Sequence, residues 1–115
     1  MKNIILILFS LLIFNACKSE PELAMERGIH YYESGETDKA AIEFNRAVLL
    51  LKKIKNKNLD DFELLSQAYH NLAIAYSKQG LNNYARDAAE ESWKLSPTPK
   101  HRSVLQLINN RIAKE

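Results

Sequence analysis

Residues 28–47 and 73–92 share a skeleton of small and aromatic residues at a constant offset of 45, since 74 − 29 = 45. The matched pairs are Gly28 and Ala73, Ile29 and Ile74, Tyr31 and Tyr76, Gly35 and Gly80, Ala40 and Ala85, and Ala47 and Ser92, with Leu50 and Leu95 just beyond these ranges. A repeat of this length is typical of stacked supersecondary units, none of which can bury its apolar face alone. The repeat therefore predicts a layered array, and such arrays mostly hold other molecules.

Length and composition indicate one small folded domain. The chain has 115 residues, 46% hydrophobic and 26% charged, with a formal net charge of +2, and these values are ordinary for a globular protein. Lysines and arginines alternate with acidic residues instead of forming one stripe. The charge pattern therefore gives no indication of nucleic-acid binding.

Residues 1–16 differ from the rest of the chain. Lys2 is basic, residues 4–14 are apolar except for Ser10, and Asn15, Ala16 and Cys17 follow. A basic end, a short apolar core and a small residue at the cut are typical of a secretory signal. The apolar core is too short for a bilayer, which needs about 20 residues, and polar residues 18–22 end it. We expect residues 1–16 to be a signal peptide and the chain to be exported.

The stretch Ile13-Phe14-Asn15-Ala16-Cys17 resembles the lipobox of bacterial lipoproteins. The resemblance implies that Cys17, the sole cysteine, becomes the first mature residue and carries acyl chains, with residues 17–21 as a tether. Several acyl chains on Cys17 would anchor the protein stably to the membrane. Lys18 replaces the aspartate that retains enterobacterial lipoproteins at the inner membrane, which favours the outer membrane. The alternatives are an ordinary signal with an incidental cysteine and an uncleaved tether.

Five amphipathic segments follow the tether, and none of the chain alternates as a strand would, so the predicted fold is all-α. The segments are residues 22–34, 38–55, 60 or 61 to 79, 83–95 and 98–113. The third should bury Phe62, Leu65, Tyr69, Leu72, Ala73 and Tyr76, and the fourth should bury Tyr84, Ala85, Ala88, Ala89, Ser92 and Leu95.

Several residues predict where these helices begin and end. Gly35 and Gly80 should end the first and third helices in a left-handed conformation. Asp60, followed by Glu63, suggests a capping box at the start of the third helix, and Thr98-Pro99 suggests a cap for the fifth. Lysines 52, 53 and 55 lie close together at the end of the second helix. We favour the interpretation that their positive charge offsets the negative end of the helix dipole over that of a separate basic patch.

Residues 22–97 resemble the tetratricopeptide repeat, a helix-turn-helix unit of about 34 residues. The second repeat carries the residues of the family pattern at Tyr69, Leu72, Ala73, Tyr76, Ala85, Ala89, Ser92 and Pro97, and the first carries them at Gly28, Tyr31, Gly35, Ala40, Phe44 and Ala47. The first departs from the pattern at Ala24 and Arg27. The resemblance implies a right-handed α-solenoid of two repeats, residues 22–55 and 60–97, with residues 98–115 as a capping helix.

The spacing between the repeats exceeds the family length by about 11 residues, since 45 − 34 = 11, and longer repeats of this kind resemble those of kinesin light chains. The excess lies between Leu51 and Phe62, where residues 55–58 should turn. Two repeats are few for a stable array. We expect the domain to gain stability from its capping helix, from a partner or from self-association.

No arrangement of residues in the sequence points to catalysis, a cofactor or a metal. His30, His70 and His101 lie one in each of three helices without metal spacing, and the serines lack the signature of an activated nucleophile. The pairs Asp60-Asp61 and Glu90-Glu91 suit helix caps and solvated faces. We expect a protein that is not an enzyme, unless another chain contributes an active site.

The family resemblance also implies a partner-binding groove on the concave face. The implied lining residues are Glu22, Met25, Ile29, Tyr32, Glu33, Gln67, His70, Ile74, Ser77 and Lys78. Their mixed character suits a peptide or a helix from a protein partner. The chain lacks the basic clamp with which some members hold acidic chaperone tails, because Met25 and Ile29 stand at positions of that clamp. Alternatively, some of these residues pack on the tether or the capping helix, where Trp93 should also pack.

The sequence thus supports two functions of different classes. One is a lipid-anchored envelope protein whose array scaffolds or assembles a protein partner at a membrane. The other is an exported module without lipid that binds a small molecule or a cell-wall fragment.

Overall fold

The computed structural model describes residues 17–115, and the regular structure in this range is entirely helical. The helices are α1 (Glu20–Glu33), α2 (Thr37–Lys52), α3 (Leu59–Lys78), α4 (Asn82–Leu95) and α5 (Pro99–Ala113). The all-α prediction is confirmed, and each predicted helix is present within a few residues of its expected bounds. The predicted signal peptide, residues 1–16, lies outside the described residues.

The turns after α1 and α3 have the same backbone structure. Gly35 and Gly80 have φ values of 82° and 80°, which lie in the left-handed region that only glycine adopts cheaply. The same two bonds close each turn: Gly35 to Tyr32 and Gly80 to Ser77 at 3.1 Å, and Glu36 to Tyr31 and Leu81 to Tyr76 at 2.9 Å. This is the Schellman arrangement. The helical hairpins α1–α2 and α3–α4 therefore repeat in structure as in sequence.

Two predictions about the chain between the hairpins are wrong in detail. α2 ends at Lys52, not at residue 55, and residues 53–58 form the connection. The capping box uses Asn58 and Asp61 instead of Asp60 and Glu63: the Asn58 side chain accepts from the Asp61 N–H at 2.8 Å, and the Asp61 carboxylate accepts from the Asn58 N–H at 3.0 Å. Asn58 has the extended backbone that a cap residue needs, whereas Asp60 is already helical.

Consecutive helices pack against each other, and α3 also contacts α1 and α5. The core is built mostly from alanines with a few larger side chains: Ala24, Met25, Ala40, Ala41, Phe44, Ala47, Val48, Leu51, Leu65, Ala68, Leu72, Ala73, Ala75, Ala85, Ala88, Ala89 and Ile108. Small residues at the contacts let helices approach closely. Two residues of the predicted stripes are exposed: Phe62, in the first turn of α3 beside the connection, and Tyr84, whose ring lies 5.8 Å from that of Tyr76.

Arg27, one of the departures from the family pattern, has a partner in the structure. Its Nε lies 3.0 Å from a carboxylate oxygen of Glu43 on α2, and Arg46 holds the other oxygen at 2.8 Å. The Glu43 side chain is buried, and its two charged partners satisfy both oxygens. A charged contact therefore joins α1 to α2 where the pattern has a bulky apolar pair.

No helix within residues 17–115 combines the length and apolar character that a bilayer crossing requires.

Candidate functional site

Two adjoining depressions form one groove where α1, α3 and α5 meet. The first is lined by Tyr32, Ile74, Ser77, Lys78, Val104, Leu107, Ile108 and Arg111, and the second by Ile29, Tyr32, Glu33, Phe44, Asn71 and Ile74. Each has a volume of about 280 Å³. Because both are lined by Tyr32 and Ile74, they are continuous, and we call them together the α1–α3–α5 groove.

Six of the residues predicted from the family resemblance line this groove: Ile29, Tyr32, Glu33, Ile74, Ser77 and Lys78. Met25 and His70 do not, because they are buried at 6% and 4% exposure and offer no surface to a partner. Gln67 is exposed but lies outside both depressions, with its amide 3.5 Å from Glu63. Glu22 lies near the start of α1, where it contacts Ser19. Cys17 is exposed ahead of α1.

α5 supplies one wall of the groove, which the sequence prediction did not include. Val104 and Ile108 belong to the predicted apolar face of this helix, so their presence follows from its packing. Leu107 lies off that face and is 68% exposed. The signal that could have identified Leu107 is that it is apolar and lies outside the buried stripe of an amphipathic helix. This signal does not show which surface the residue adjoins.

The edge of the groove carries two cations and one anion. Lys78 Nζ lies 5.0 Å from the centre of the Tyr32 ring, a cation–π contact. The Arg111 guanidinium donates to the Ser77 carbonyl at 3.1 Å and to its hydroxyl at 2.6 Å, which ties α5 to the last turn of α3. Glu33 lies beside the second depression. The groove therefore has an apolar floor, with its cations at the α5 end and its carboxylate at the α1 end.

A buried polar cluster holds α5 in place. The Ser66 hydroxyl donates to the Ser92 carbonyl at 3.0 Å, and the Ser92 hydroxyl donates to the Ser66 carbonyl at 2.9 Å. His101 Nδ1 lies 2.7 Å from the Ser96 carbonyl; because a carbonyl only accepts, this nitrogen carries the proton. The Ser66 hydroxyl also lies 3.3 Å from that nitrogen. One cluster therefore joins α3, α4 and the start of α5.

His70 lies beside this cluster, with its ring centre 4.9 Å from that of His101. Its Nδ1 is buried and has no hydrogen-bond partner among the described residues. Burial, followed by the charge of Lys100 and the proximity of His101, lowers the pKa of His70 to about 4. The family resemblance predicted a groove-lining histidine, but the packing of α5 over α3 makes His70 a neutral core residue.

The described residues contain no group of three His, Cys, Asp or Glu side chains that could hold a metal ion. Neither the protein-family models nor the curated proteins include a match to this chain. The likeness to tetratricopeptide repeats therefore stays a prediction from the residues of the repeat.

Proposed function

We propose that this protein is a lipid-anchored envelope protein whose tetratricopeptide-type array holds a segment of a partner protein in the α1–α3–α5 groove. The observation that carries the proposal is the continuous apolar floor across the two depressions. On this floor Ile29 is exposed to solvent and Tyr32 and Ile74 are partly exposed, although each has a large, mainly apolar side chain. Exposed apolar surface in a concave site favours binding of an apolar segment.

The shape of the groove favours a segment of a protein over a small molecule. Sites for small molecules usually bury most of the ligand's surface in a cleft or cavity, whereas both depressions here are open rather than enclosed. Two shallow depressions side by side suit successive side chains of one helix or peptide, as in helix-in-groove recognition. The cations at one end and the carboxylate at the other would fix the direction of the bound segment.

The membrane part of the proposal rests on the sequence of residues 1–17. Cys17 lies three residues before α1, so acyl chains on Cys17 would place the array directly at the membrane surface. An anchored array would then keep its partner close to the bilayer, as expected for a scaffold or assembly factor.

Photo-crosslinking in cells tests the groove. A photoreactive amino acid at Leu107 should capture one protein by proximity, whereas the same amino acid at Ile42, an exposed residue of α2 outside the groove, should not capture it. Leu107→Asp should abolish capture from a probe at Ile29 while leaving the helical circular dichroism unchanged. Equal capture of the same protein from Leu107 and Ile42, or capture that survives Leu107→Asp, would show that the groove is not the binding site.

A further inference from the structure

The connection between α2 and α3 combines unpaired positive charge with exposed apolar side chains. Lys52, Lys53 and Lys55 are exposed, and no ion pair within residues 17–115 includes any of them. Leu59, at the start of α3, is 83% exposed, and Phe62, one turn later, is 44% exposed. Such a combination is typical of surfaces that lie on anionic membranes, where lysines meet headgroups and apolar residues enter the interface.

The end of α2 accounts for only one of these lysines, Lys52, which lies in the last turn of the helix. Lys57 already serves the end of α2, because its Nζ donates to the Ile54 carbonyl at 2.7 Å and to the Lys52 carbonyl at 3.2 Å. Since α2 ends at Lys52, Lys53 is only its cap residue and Lys55 stands beyond the last turn, where a helix dipole acts weakly. The helix dipole therefore does not account for the charge of Lys53 and Lys55.

The register of the helices brings this connection to the same end of the molecule as Cys17. Gly28 of α1 packs against Phe44 of α2. Because the two helices are antiparallel, Glu20, eight residues before Gly28, lies level with Lys52, eight residues after Phe44. In the second hairpin Ser66 of α3 bonds Ser92 near the end of α4, so the start of α3 and the end of α4 lie at the same end of the molecule. Residues 17–20, 52–59 and 95–99 therefore lie together, and we call this the Cys17 end.

The acidic residues at the Cys17 end have local roles. Glu63, beside Phe62, accepts a hydrogen bond from Gln67 at 3.5 Å. Glu20 and Glu22 lie in the first turn of α1, and Asp60 and Asp61 lie in the first turn of α3. Carboxylates there offset the positive N-terminal dipoles of these helices, and Asp61 also belongs to the capping box. The seven residues from 52 to 58 contain four lysines and no acid, so the connection itself is strongly positive.

We infer that the Cys17 end is a contact surface for an anionic lipid bilayer, with Lys52, Lys53 and Lys55 at the headgroups and Leu59 and Phe62 in the interface. The surface uses no residue of the α1–α3–α5 groove and does not require lipid on Cys17. If Cys17 is acylated, the same end already faces the membrane, and the lysines would hold the array upright with the groove turned to the side.

The test compares two variants of the purified full chain that remove the same charge. Lys52, Lys53 and Lys55 are changed to Gln in one variant, and Lys39, Arg86 and Lys114 in a control, since these lie away from the Cys17 end. Partition is measured into phosphatidylcholine vesicles with and without about one-third phosphatidylglycerol. We expect the first variant to lose about tenfold or more of the preference for anionic vesicles, and the control to keep most of it. Equal losses in both would show an effect of net charge alone and overturn the inference.

A second measurement reports the contact directly. In a Trp93→Phe background, Leu59→Trp should shift its emission to the blue on anionic vesicles and be quenched by brominated lipid. Leu81→Trp, in the turn at the opposite end of α3, should do neither. A water-exposed signal from Leu59→Trp on bound protein would refute the inference. Capture of a protein instead of lipid by a photoreactive amino acid placed at position 59 in cells would refute it as well. The crosslinks from Leu107 would be unaffected, so the groove and this surface can fail separately.

Discussion

The ring of Phe44 lies against the backbone of Gly28, so closely that a Cβ atom at position 28 would stand 2.5 Å from Cε1 of the ring. Phe44 is buried, and its ring also lines the second depression of the groove. The small residue at this point of the repeat is therefore required by the approach of the two helices, and not by any unusual backbone conformation at Gly28.

Gly28→Ala should destabilise the fold by about 1 to 2 kcal/mol, because overpacking of the core outweighs the helix propensity gained from alanine. Urea unfolding followed by circular dichroism measures the change. Combining the substitution with Phe44→Leu, which clears the space, should bring a smaller loss than the sum of the two single changes. Additive losses would show that the contact with the ring is not the cause.

Asn58→Ala should destabilise the protein by about 1 kcal/mol, because it removes the acceptor that caps α3. Asp60→Ala, only two residues away, should change stability by no more than about 0.5 kcal/mol, since Asp60 contributes only to the helix dipole. Thermal unfolding of the two variants side by side checks the assignment. A larger loss from Asp60→Ala would place the cap where the sequence first suggested it.

Stability should fall as the pH decreases from about 6.5 to about 4, because the unfolded chain binds a proton on His70 that the folded chain excludes. Between pH 7 and pH 5 the wild type should lose about 1 to 2 kcal/mol more than His70→Leu, measured by urea unfolding at both values. His30→Gln, which changes an exposed histidine, should keep the wild-type dependence. A wild type and a His70→Leu variant with the same dependence would contradict this assignment.

Cys17→Ser should abolish incorporation of labelled palmitate and move protein from the membrane fraction to the soluble fraction, because a single residue carries the proposed anchor. The intact mass of the mature wild-type chain should show an acylated N-terminus at position 17. Ser19→Thr, which keeps the hydroxyl that caps α1, controls for any change near the cleavage site. If the wild-type protein incorporates no palmitate and fractionates as the Cys17→Ser variant does, the proposal of a lipoprotein has no support.

The parts of the fold that the sequence predicted depend on neighbours along the chain. Gly35 and Gly80 were identified because left-handed turns after a helix require glycine almost regardless of the surroundings. The cap at Thr98 was predicted for a similar reason, and its hydroxyl does accept from the His101 N–H. The cap of α3 was misplaced by two residues, because several polar residues precede that helix and only the backbone path selects one.

The candidate site was predicted in part, because it depends on contacts between distant residues. Ile29, Tyr32 and Ile74 follow from the repeat, which brings equivalent helices side by side. The wall supplied by α5 does not follow from the repeat. The position of α5 depends on hydrogen bonds from Ser66 to Ser92 and His101, which lie 26 and 35 positions later in the chain. An amphipathic pattern shows that one face of a helix is covered, but it does not identify what covers it.

The sequence by itself determined that the described chain is helical, where its two glycine turns fall and which hairpins repeat, because these properties arise from local backbone preferences and from spacing along one helix. Only the tertiary structure decided that His70 is a core residue, that α5 closes one side of the groove, and that Lys55 and Cys17 lie at the same end. Each of these depends on the register between helices, which packing of specific side chains sets and no single segment encodes.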